Sequence, residues 1–204
     1  MNYDILLSFI GASMLLTIMP GPDIIYVLVQ SISNGKKYGI ATSFGLVSGI
    51  LVHTTLVAVG VSAIINQSES LFFTLKLFGA FYLVFLAYKA YKSDAEINLK
   101  KVEKKELLQL FKQGFIMNVV NPKVTIFFLA FLPGFLYSTA QSTLVQLYVL
   151  GGLFMLQALV IFSVVSILSG QLATYLKSQS SFNSSLKWLQ IIVFIGIAFF
   201  ILFF

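Results

Sequence analysis

Six long apolar runs dominate this sequence of 204 residues. A helix needs roughly 20 consecutive apolar residues to cross about 30 Å of hydrocarbon. The composition agrees, because 58% of the residues are hydrophobic and only 10% are charged, too few for a globular domain that needs a polar surface. We therefore predict an all-α integral membrane protein. The six predicted transmembrane helices are residues 5–29, 38–65, 71–91, 115–136, 144–170 and 186–204.

The placement of the lysines predicts the orientation of these helices. All thirteen basic residues are lysines, and eleven of them flank the first, third and fifth connections, whereas the second and fourth have none. Because positive charge is retained on the cytoplasmic side, both termini are predicted to lie outside, in a bacterial inner membrane. The first run lacks the features of a cleavable signal peptide and is expected to remain. The eleven are Lys36, Lys37, Lys89, Lys92, Lys100, Lys101, Lys104, Lys105, Lys112, Lys177 and Lys187.

Charge and composition argue against several other classes of protein. The net charge of +6 comes from lysines in short connections, so there is no basic domain to hold nucleic acid. The chain has no cysteine and a single histidine, which leaves no ligand set for a metal, and no cofactor is predicted. The expected partner of the apolar surface is the lipid bilayer. A homodimer is also possible for so small a helix bundle.

Proline-containing breaks interrupt two of the runs. The motif "PGPD" at residues 20–23 breaks the first run, and "NPK" at 121–123 breaks the fourth. Three runs follow each start, so the chain is predicted to consist of two inverted three-helix repeats whose first helices are discontinuous. These would be residues 1–92 and 113–204, joined by a cytoplasmic loop at 93–112. With these boundaries both breaks lie toward the cytoplasmic half of the membrane, whereas exact inversion would place them on opposite sides of its midplane. The inverted symmetry is therefore approximate, or span four starts earlier, near Leu107.

The breaks offer backbone groups that could bind a zwitterion. Pro20, Pro22 and Pro122 leave carbonyl groups without intrahelical partners, which is tolerated in a membrane only inside protein or beside a wet cavity. Where each helix restarts, at Gly21 and Asn121, free N–H groups suit a carboxylate, and the carbonyl groups before the break suit an ammonium. A single proline kink in a membrane helix usually serves helix packing only. Two kinks at matching positions of the two halves favour a binding site.

Ionisable residues follow both breaks directly. Asp23 and Lys123 are expensive to bury in a membrane, so function is their default interpretation. A salt bridge between them that locks or gates the cavity is an open structural alternative. In the second run, Gly45, Gly49 and His53 lie on one helical stripe, which is a candidate part of the translocation path and also suits close helix packing. A mid-span histidine could also carry a proton or donate to a ligand, or simply join two helices by a hydrogen bond.

Four segments in order resemble the LysE/RhtB family of amino-acid exporters over nearly the whole chain. They are "PGPD" in span one, "GLVSGILVH" in span two, "LKLFGAFYL" in span three and "GFIMNVVNPKVTIFFLAFLPGF" in span four. The resemblance implies export of an amino acid or a close derivative from the cytoplasm, driven by the proton motive force. By motif match, Pro20, Gly21, Pro22 and Asp23 correspond to the family's first break, and Asn121, Pro122 and Lys123 to its second.

The resemblance also bears on the cargo. Asparagine or glutamine is more usual in the family at the position of Asp23. The branch that exports basic amino acids carries two aspartates where this chain has Ile50 and Phe127, so a cationic side chain would lack its countercharges. A neutral amino acid, such as threonine, homoserine or a branched-chain residue, is therefore favoured.

We predict a neutral amino-acid exporter whose coupling proton is carried by Asp23 or His53. Export of basic amino acids with Asp23 as countercharge is one alternative. A passive channel or an assembly scaffold is another, because glycine stripes also serve oligomerisation. A membrane enzyme is the least favoured, since the histidine is in mid-span and most of the acids lie in one loop.

Overall fold

The structure is a computed structural model that describes residues 3–67, 69–93, 102–178 and 180–203. Within these ranges the chain is helical almost throughout. The helices are α1 (Tyr3–Ile18), α2 (Pro22–Asn34), α3 (Lys36–Gln67), α4 (Glu69–Lys92), α5 (Leu107–Val119), α6 (Pro122–Phe131) followed by a 3-10 turn (Leu132–Phe135), α7 (Thr143–Ile167), α8 (Ser169–Ser178) and α9 (Ser180–Phe203).

Four of these helices contain apolar stretches long enough to cross a membrane individually: α3, α4, α7 and α9. Two further spans are possible if each bent pair counts as one, namely α1 with α2, bent by 58°, and α5 with α6 and its 3-10 turn, bent by 52°. The structure therefore contains four to six candidate spans, as expected of a multi-pass membrane protein.

The prolines explain where the two bent pairs break. Gly21 takes an extended conformation (φ −159°, ψ 173°) between the two helices, and Pro22 occupies the first turn of α2. In the second pair, Asn121 is extended (φ −76°, ψ 106°) and Pro122 opens α6. Proline is favoured at the first position of a helix because its missing N–H would have no partner there anyway. Both breaks predicted from the sequence are thus confirmed.

The boundaries of the first span differ from the prediction of 5–29. Helix α2 continues to Asn34 and ends at Gly35, whose φ of 103° is the only positive φ among the described residues and requires glycine. Helix α3 then starts at once, at Lys36. The connection is a single residue, because the glycine reverses the chain without further turn residues.

The fourth span starts at Leu107, which confirms the alternative boundary given above and not the first one at 115. Glu106 and Gln109 form a capping box in which the backbone N–H of Glu106 donates to Gln109 Oε1 at 3.3 Å. Polar residues that we assigned to the connecting loop therefore begin a helix. The rest of that loop prediction, at 94–101, lies outside the described residues. With this earlier start the break falls near the middle of the pair, not in its cytoplasmic half.

The fifth and sixth spans are also bounded differently from the prediction. Helix α7 ends at Ile167, the separate helix α8 follows, and α9 begins at Ser180. At the opposite end of α7, the buried side chain of Gln146 orders the preceding loop by accepting from the N–H groups of Tyr137 (2.7 Å) and Ser138 (2.9 Å). The predicted polar turn there is therefore rigidly tied to α7.

Helix α3 lies at the centre of the bundle, against α2, α5 and α7, while α4 packs against α9 on one side. Several predicted cytoplasmic segments come together at one end. Lys187 Nζ donates to the carbonyl of Ser93 at 2.8 Å, and the N–H of Val102 donates to Ser33 Oγ at 3.2 Å. We call this the lysine-rich end, and the end that carries the 136–142 loop the lysine-poor end.

Candidate functional site

The two helix breaks meet inside the bundle through a carboxylate and two amides. Asn121 Nδ2 lies 3.1 Å from Asp23 Oδ1 and 3.2 Å from Oδ2, and Asn118 Nδ2 lies 3.5 Å from Oδ2. These contacts join residues almost 100 positions apart. Asp23 stands in the first turn of α2, where the helix dipole favours a negative charge.

Asn121 holds both sides of the second break. Its Oδ1 accepts from the N–H of Lys123 at 3.1 Å and so caps α6, while its Nδ2 donates to Asp23. Its own N–H donates to the carbonyl of Asn118 at 3.0 Å, which joins α5 to the break. One side chain therefore fixes the start of α6 and the position of the carboxylate together.

Lys123 places a positive charge at the start of α6, the end of a helix that disfavours cations. Its Nζ lies 5.4 Å from the centre of the Phe194 ring on α9, and a β-carbon added to Gly21 would lie 3.5 Å from that Nζ. Asp23 is near enough to attract it electrostatically. Within the described residues, however, the two form no direct ion pair. A positive charge at a helix start, with no carboxylate directly on it, is suited to an anionic ligand.

Two cavities meet at the breaks. The first, which we call the inner cavity, has a volume of about 40 Å³ and lies among α1, α2, α3, α5, α6 and α7. The second, which we call the vestibule, has a volume of about 430 Å³ and extends between α4 and α9 toward the lysine-rich end, where Lys89, Ser93 and Lys187 line it. The residues that line both cavities are Gly21, Pro22, Asn121 and Lys123.

The inner cavity is charged at the breaks and apolar elsewhere. Asp23 and Lys123 are the only charged residues in its described lining, and Ile50, Phe154 and Ala158 are among its apolar wall. A volume of about 40 Å³ leaves space for a few water molecules and not for an amino acid. The vestibule has the size of an ordinary small-molecule site.

A cluster of phenylalanines fills the bundle between the breaks and the lysine-poor end. The ring centres of Phe131 and Phe127 are 4.3 Å apart, those of Phe131 and Phe135 4.5 Å, and those of Phe128 and Phe154 5.0 Å. Phe9 and Phe200 extend the cluster to α1 and α9. These rings contact one another directly, so they close the bundle on this side of the breaks.

The predicted glycines in α3 serve helix packing. A β-carbon on Gly45 would overlap the backbone carbonyl of Phe111 in α5, and one on Gly49 would lie 2.7 Å from Asn118 Oδ1. Neither residue lines the inner cavity or the vestibule. Gly49 nevertheless matters to the site, because it makes room for an asparagine that donates to Asp23.

His53 is 2% exposed and lies behind the site, not in it. Its Nε2 is 3.0 Å from the carbonyl oxygen of Asn118, and its ring centre is 5.9 Å from that of Phe128. Its Nδ1 is buried and has no hydrogen-bond partner among the described residues. The sequence therefore identified a histidine that joins two helices, and whether it also moves a proton stays a prediction.

Sequence reasoning missed two polar contacts near the site. Asn118 lies one helical turn before Asn121, a spacing visible in "NVVN", but its importance depends on α2 lying opposite α5. Thr17, on the wall of the inner cavity, accepts from Gln157 Nε2 at 2.9 Å. The Oε1 of Gln157 is buried without a partner in the described part of the chain. No group of three potential metal ligands occurs among the described residues.

Comparison with known proteins identifies the family. The family model described as "LysE type translocator" matches residues 13–203. The chain belongs to the LysE family. A homoserine/homoserine lactone efflux protein of Salmonella typhimurium is 28% identical over 178 residues, covering 87% of this chain and 86% of the relative. A membrane protein of Vibrio cholerae is 30% identical over 185 residues, covering 87% of each. No solved structure matches.

In a LysE-type translocator, the arrangement of the cavities indicates from which end of the bundle the helix breaks can be reached. The larger cavity reaches the breaks from the lysine-rich end, and the phenylalanine cluster closes the other side. In this conformation the vestibule gives access to Asn121 and Lys123 from the lysine-rich end. Such one-sided access is the property that alternating access in a transporter requires.

Proposed function

We propose that this LysE-family protein exports a neutral amino acid, or a close derivative of one, from the cytoplasm. The observation that carries the proposal is the pair of opposite charges, Asp23 and Lys123, on two helix breaks that meet between the inner cavity and the vestibule. One acid and one base leave the site without net charge. A zwitterion matches both, and a neutral side chain adds no uncompensated charge.

Each end of the zwitterion has a matching group. The carboxylate would bind Lys123 Nζ at the start of α6, where the helix dipole adds a partial positive charge. The ammonium would bind Asp23, whose carboxylate accepts from amides and, among the described residues, has no cationic group directly on it. The side chain would enter the inner cavity beside Ile50, Phe154 and Ala158 once that cavity widens.

The efflux proteins among the relatives support this choice of cargo. The Salmonella typhimurium relative is named for efflux of homoserine and homoserine lactone. Homoserine is a neutral amino acid with a short hydroxylated side chain. Thr17 and the unpartnered Oε1 of Gln157 offer polar groups beside the inner cavity that could receive a hydroxyl.

The same proposal covers the architecture and the location. We propose two inverted halves, 1–92 and 113–204, joined by 93–112, in a bacterial inner membrane with both termini outside. The lengths of the broken helices support the repeat, since 16 and 13 residues flank the first break. Helix α5, of 13 residues, precedes the second break, and α6 with its turn extends 14 residues beyond it.

We further propose that the proton motive force drives export through Asp23. A carboxylate that accepts from Asn118 and Asn121 loses acceptor capacity when it is protonated, so a proton would loosen the contact between the breaks. Protonated Asp23 would also carry no negative charge, so it would no longer attract the ammonium of the cargo. His53 is the alternative carrier, since its Nδ1 is free to take a proton.

Transport by purified protein in proteoliposomes tests the proposal. We expect saturable counterflow of labelled homoserine or threonine, accelerated by a pH gradient, and no exchange of lysine. An Asp23→Asn variant should bind the cargo weakly and lose its response to pH, because the countercharge and the proton acceptor are both removed. Normal, equally pH-sensitive flux in this variant would contradict the proton role. Exchange of lysine would favour a basic cargo, and flux that does not saturate would favour a channel.

A further inference from the structure

A third cavity of about 110 Å³ lies on the lysine-poor side of the breaks, between α4, the end of α6 and α9. We call it the outer cavity. Its walls include Phe72, Ala130, Phe131, Pro133 and Phe200, and Lys76 is the only charged residue in its described lining. Phe131 and Phe200 belong to the phenylalanine cluster that closes the bundle. The outer cavity is therefore directly beside this closure.

Lys76 is not satisfied by the protein around it. Among the described residues it makes no hydrogen bond, ion pair or ring contact. It lies seven residues after the start of α4 at Glu69, which places it about 10 Å from that end of the helix. An ammonium at such a depth is costly unless an anion or water reaches it. The outer cavity is large enough to admit either.

The outer cavity continues the line of the vestibule. Both lie on the same interface, where α4 provides Tyr82 to the vestibule and Lys76 to the outer cavity, and α9 provides Phe194 and Phe200. Ala130 lines the outer cavity together with Lys76, and it is seven residues beyond Lys123 in α6. The outer cavity therefore lies about 10 Å from Lys123 along this interface. A carboxylate leaving Lys123 toward the lysine-poor end would therefore meet Lys76 next.

Helices α4 and α6 touch at the outer cavity, on its side nearer the vestibule. A β-carbon added to Gly79 would overlap the Cβ of Ala130, so the two helices are in direct contact there. On α4 this contact lies between Tyr82, which lines the vestibule, and Lys76, which lines the outer cavity. A change that parts α4 from α6 at this point would join the two cavities without moving the central helix α3.

We propose that Lys76 is the release-side binding site for the carboxylate of the exported amino acid, and that the cargo leaves along the interface of α4, α6 and α9. The proposal rests on the proposed function. When the Gly79–Ala130 contact opens, the carboxylate passes from Lys123 to Lys76, and the ammonium leaves Asp23. The phosphate of a lipid headgroup has the same anionic chemistry and is the other possible source of the ligand.

The test compares the two faces of the membrane. Exchange of labelled homoserine is measured in right-side-out and inverted vesicles for the wild type, Lys76→Met and Lys76→Arg. We expect Lys76→Met to raise the half-saturating concentration about tenfold at the lysine-poor face and less than twofold at the other face. Lys76→Arg should stay within threefold of the wild type. The control is Lys112→Met, which removes the same charge from an exposed residue outside all three cavities.

A chemical rescue separates loss of charge from misfolding. The chain has no cysteine, so Lys76→Cys is the single target of thiol reagents. Modification with an ethylammonium thiosulfonate restores a positive charge in the same preparation and should restore the half-saturating concentration, whereas a neutral methyl thiosulfonate should not. Equal recovery with both reagents, or unchanged half-saturation in Lys76→Met, would overturn the proposal.

Two further outcomes have distinct meanings. If Lys76→Met alters only the response of transport to the fraction of anionic lipid, the ammonium of Lys76 binds lipid phosphate. The proposal that Lys76 binds the cargo carboxylate is then wrong. If the wild type exchanges no neutral amino acid in either orientation, the proposed function itself fails. The two failures are therefore distinguishable.

Discussion

Asn121 donates from its side-chain Nδ2 to both carboxylate oxygens of Asp23, at 3.1 and 3.2 Å, while its side-chain Oδ1 caps α6 by accepting from the N–H of Lys123. The two helix breaks are thus held together by one side chain. Any motion that separates the breaks must also disturb the start of α6, where Lys123 is located. We therefore expect cargo binding at Lys123 to be coupled to release of Asp23 through this residue.

We expect Asn121→Ala to lower both stability and transport. It removes a helix cap, worth about 1 kcal/mol, and hydrogen bonds to a carboxylate, worth about 1.5–3 kcal/mol. The melting temperature in detergent should fall by several degrees, and the half-saturating concentration should rise about tenfold or more. Ser142→Ala is the matched control, because Ser142 caps α7 by accepting from the N–H of Val145, away from the site. Equal loss of transport in both variants would mean that Asn121 acts through stability alone.

A methyl group on Gly49 should disturb the site from outside it. Gly49→Ala places a β-carbon 2.7 Å from Asn118 Oδ1 and 2.8 Å from its Cβ, so the side chain that donates to Asp23 must move. Overpacking of this kind costs about 1–3 kcal/mol. We expect weaker cargo binding in the counterflow assay, together with a lower melting temperature.

The control for this change lies on the same helix. A β-carbon on Gly60 would have no neighbour within 4 Å, so Gly60→Ala should leave transport unchanged and slightly stabilise α3. If Gly49→Ala transports normally, Asn118 is not needed to position Asp23.

The sequence predicted the breaks because the effect of a proline is local. Pro22 and Pro122 disrupt the preceding turn in almost any surroundings, and both begin helices in the structure. The stripe of Gly45 and Gly49 was similarly readable as a packing surface, and α5 does pack there. For the start of span four the sequence left two positions open, 115 and near Leu107, because the capping box at Glu106 that fixes the start of α5 lies in a segment whose charges looked like a loop.

The long-range contacts were not predictable in the same way. That Asn118 faces Asp23 depends on how α2 and α5 are placed around α3, and no local pattern contains this information. The same holds for Lys76, which a sequence alone places near a helix end, where it could reach lipid headgroups. Only the packing of α4 against α6 and α9 shows that a cavity surrounds it.

Removing Phe131 should open the closed side of the bundle. Its ring is 1% exposed and contacts four other rings, including Phe127 and Phe200, so Phe131→Ala leaves a cavity and costs about 3–5 kcal/mol. We expect a lower melting temperature and a leak of homoserine or protons in liposomes without counter-substrate. Phe81→Ala is the control, because Phe81 is 66% exposed and should face lipid. A tight, fully coupled Phe131→Ala would show that the cluster does not form the closure.

The last prediction separates the two candidate proton carriers. His53 is one of two partners of the Asn118 carbonyl, the other being the N–H of Asn121, so His53→Ala removes a hydrogen bond worth about 0.5–1.5 kcal/mol, whereas His53→Gln can still donate. If Asp23 carries the proton, His53→Gln should transport with an unchanged dependence on pH, and its melting temperature should lie between those of His53→Ala and the wild type. A flat pH profile in His53→Gln, with normal binding of homoserine, would assign the proton to His53, and Asp23 would then serve only to bind the cargo ammonium.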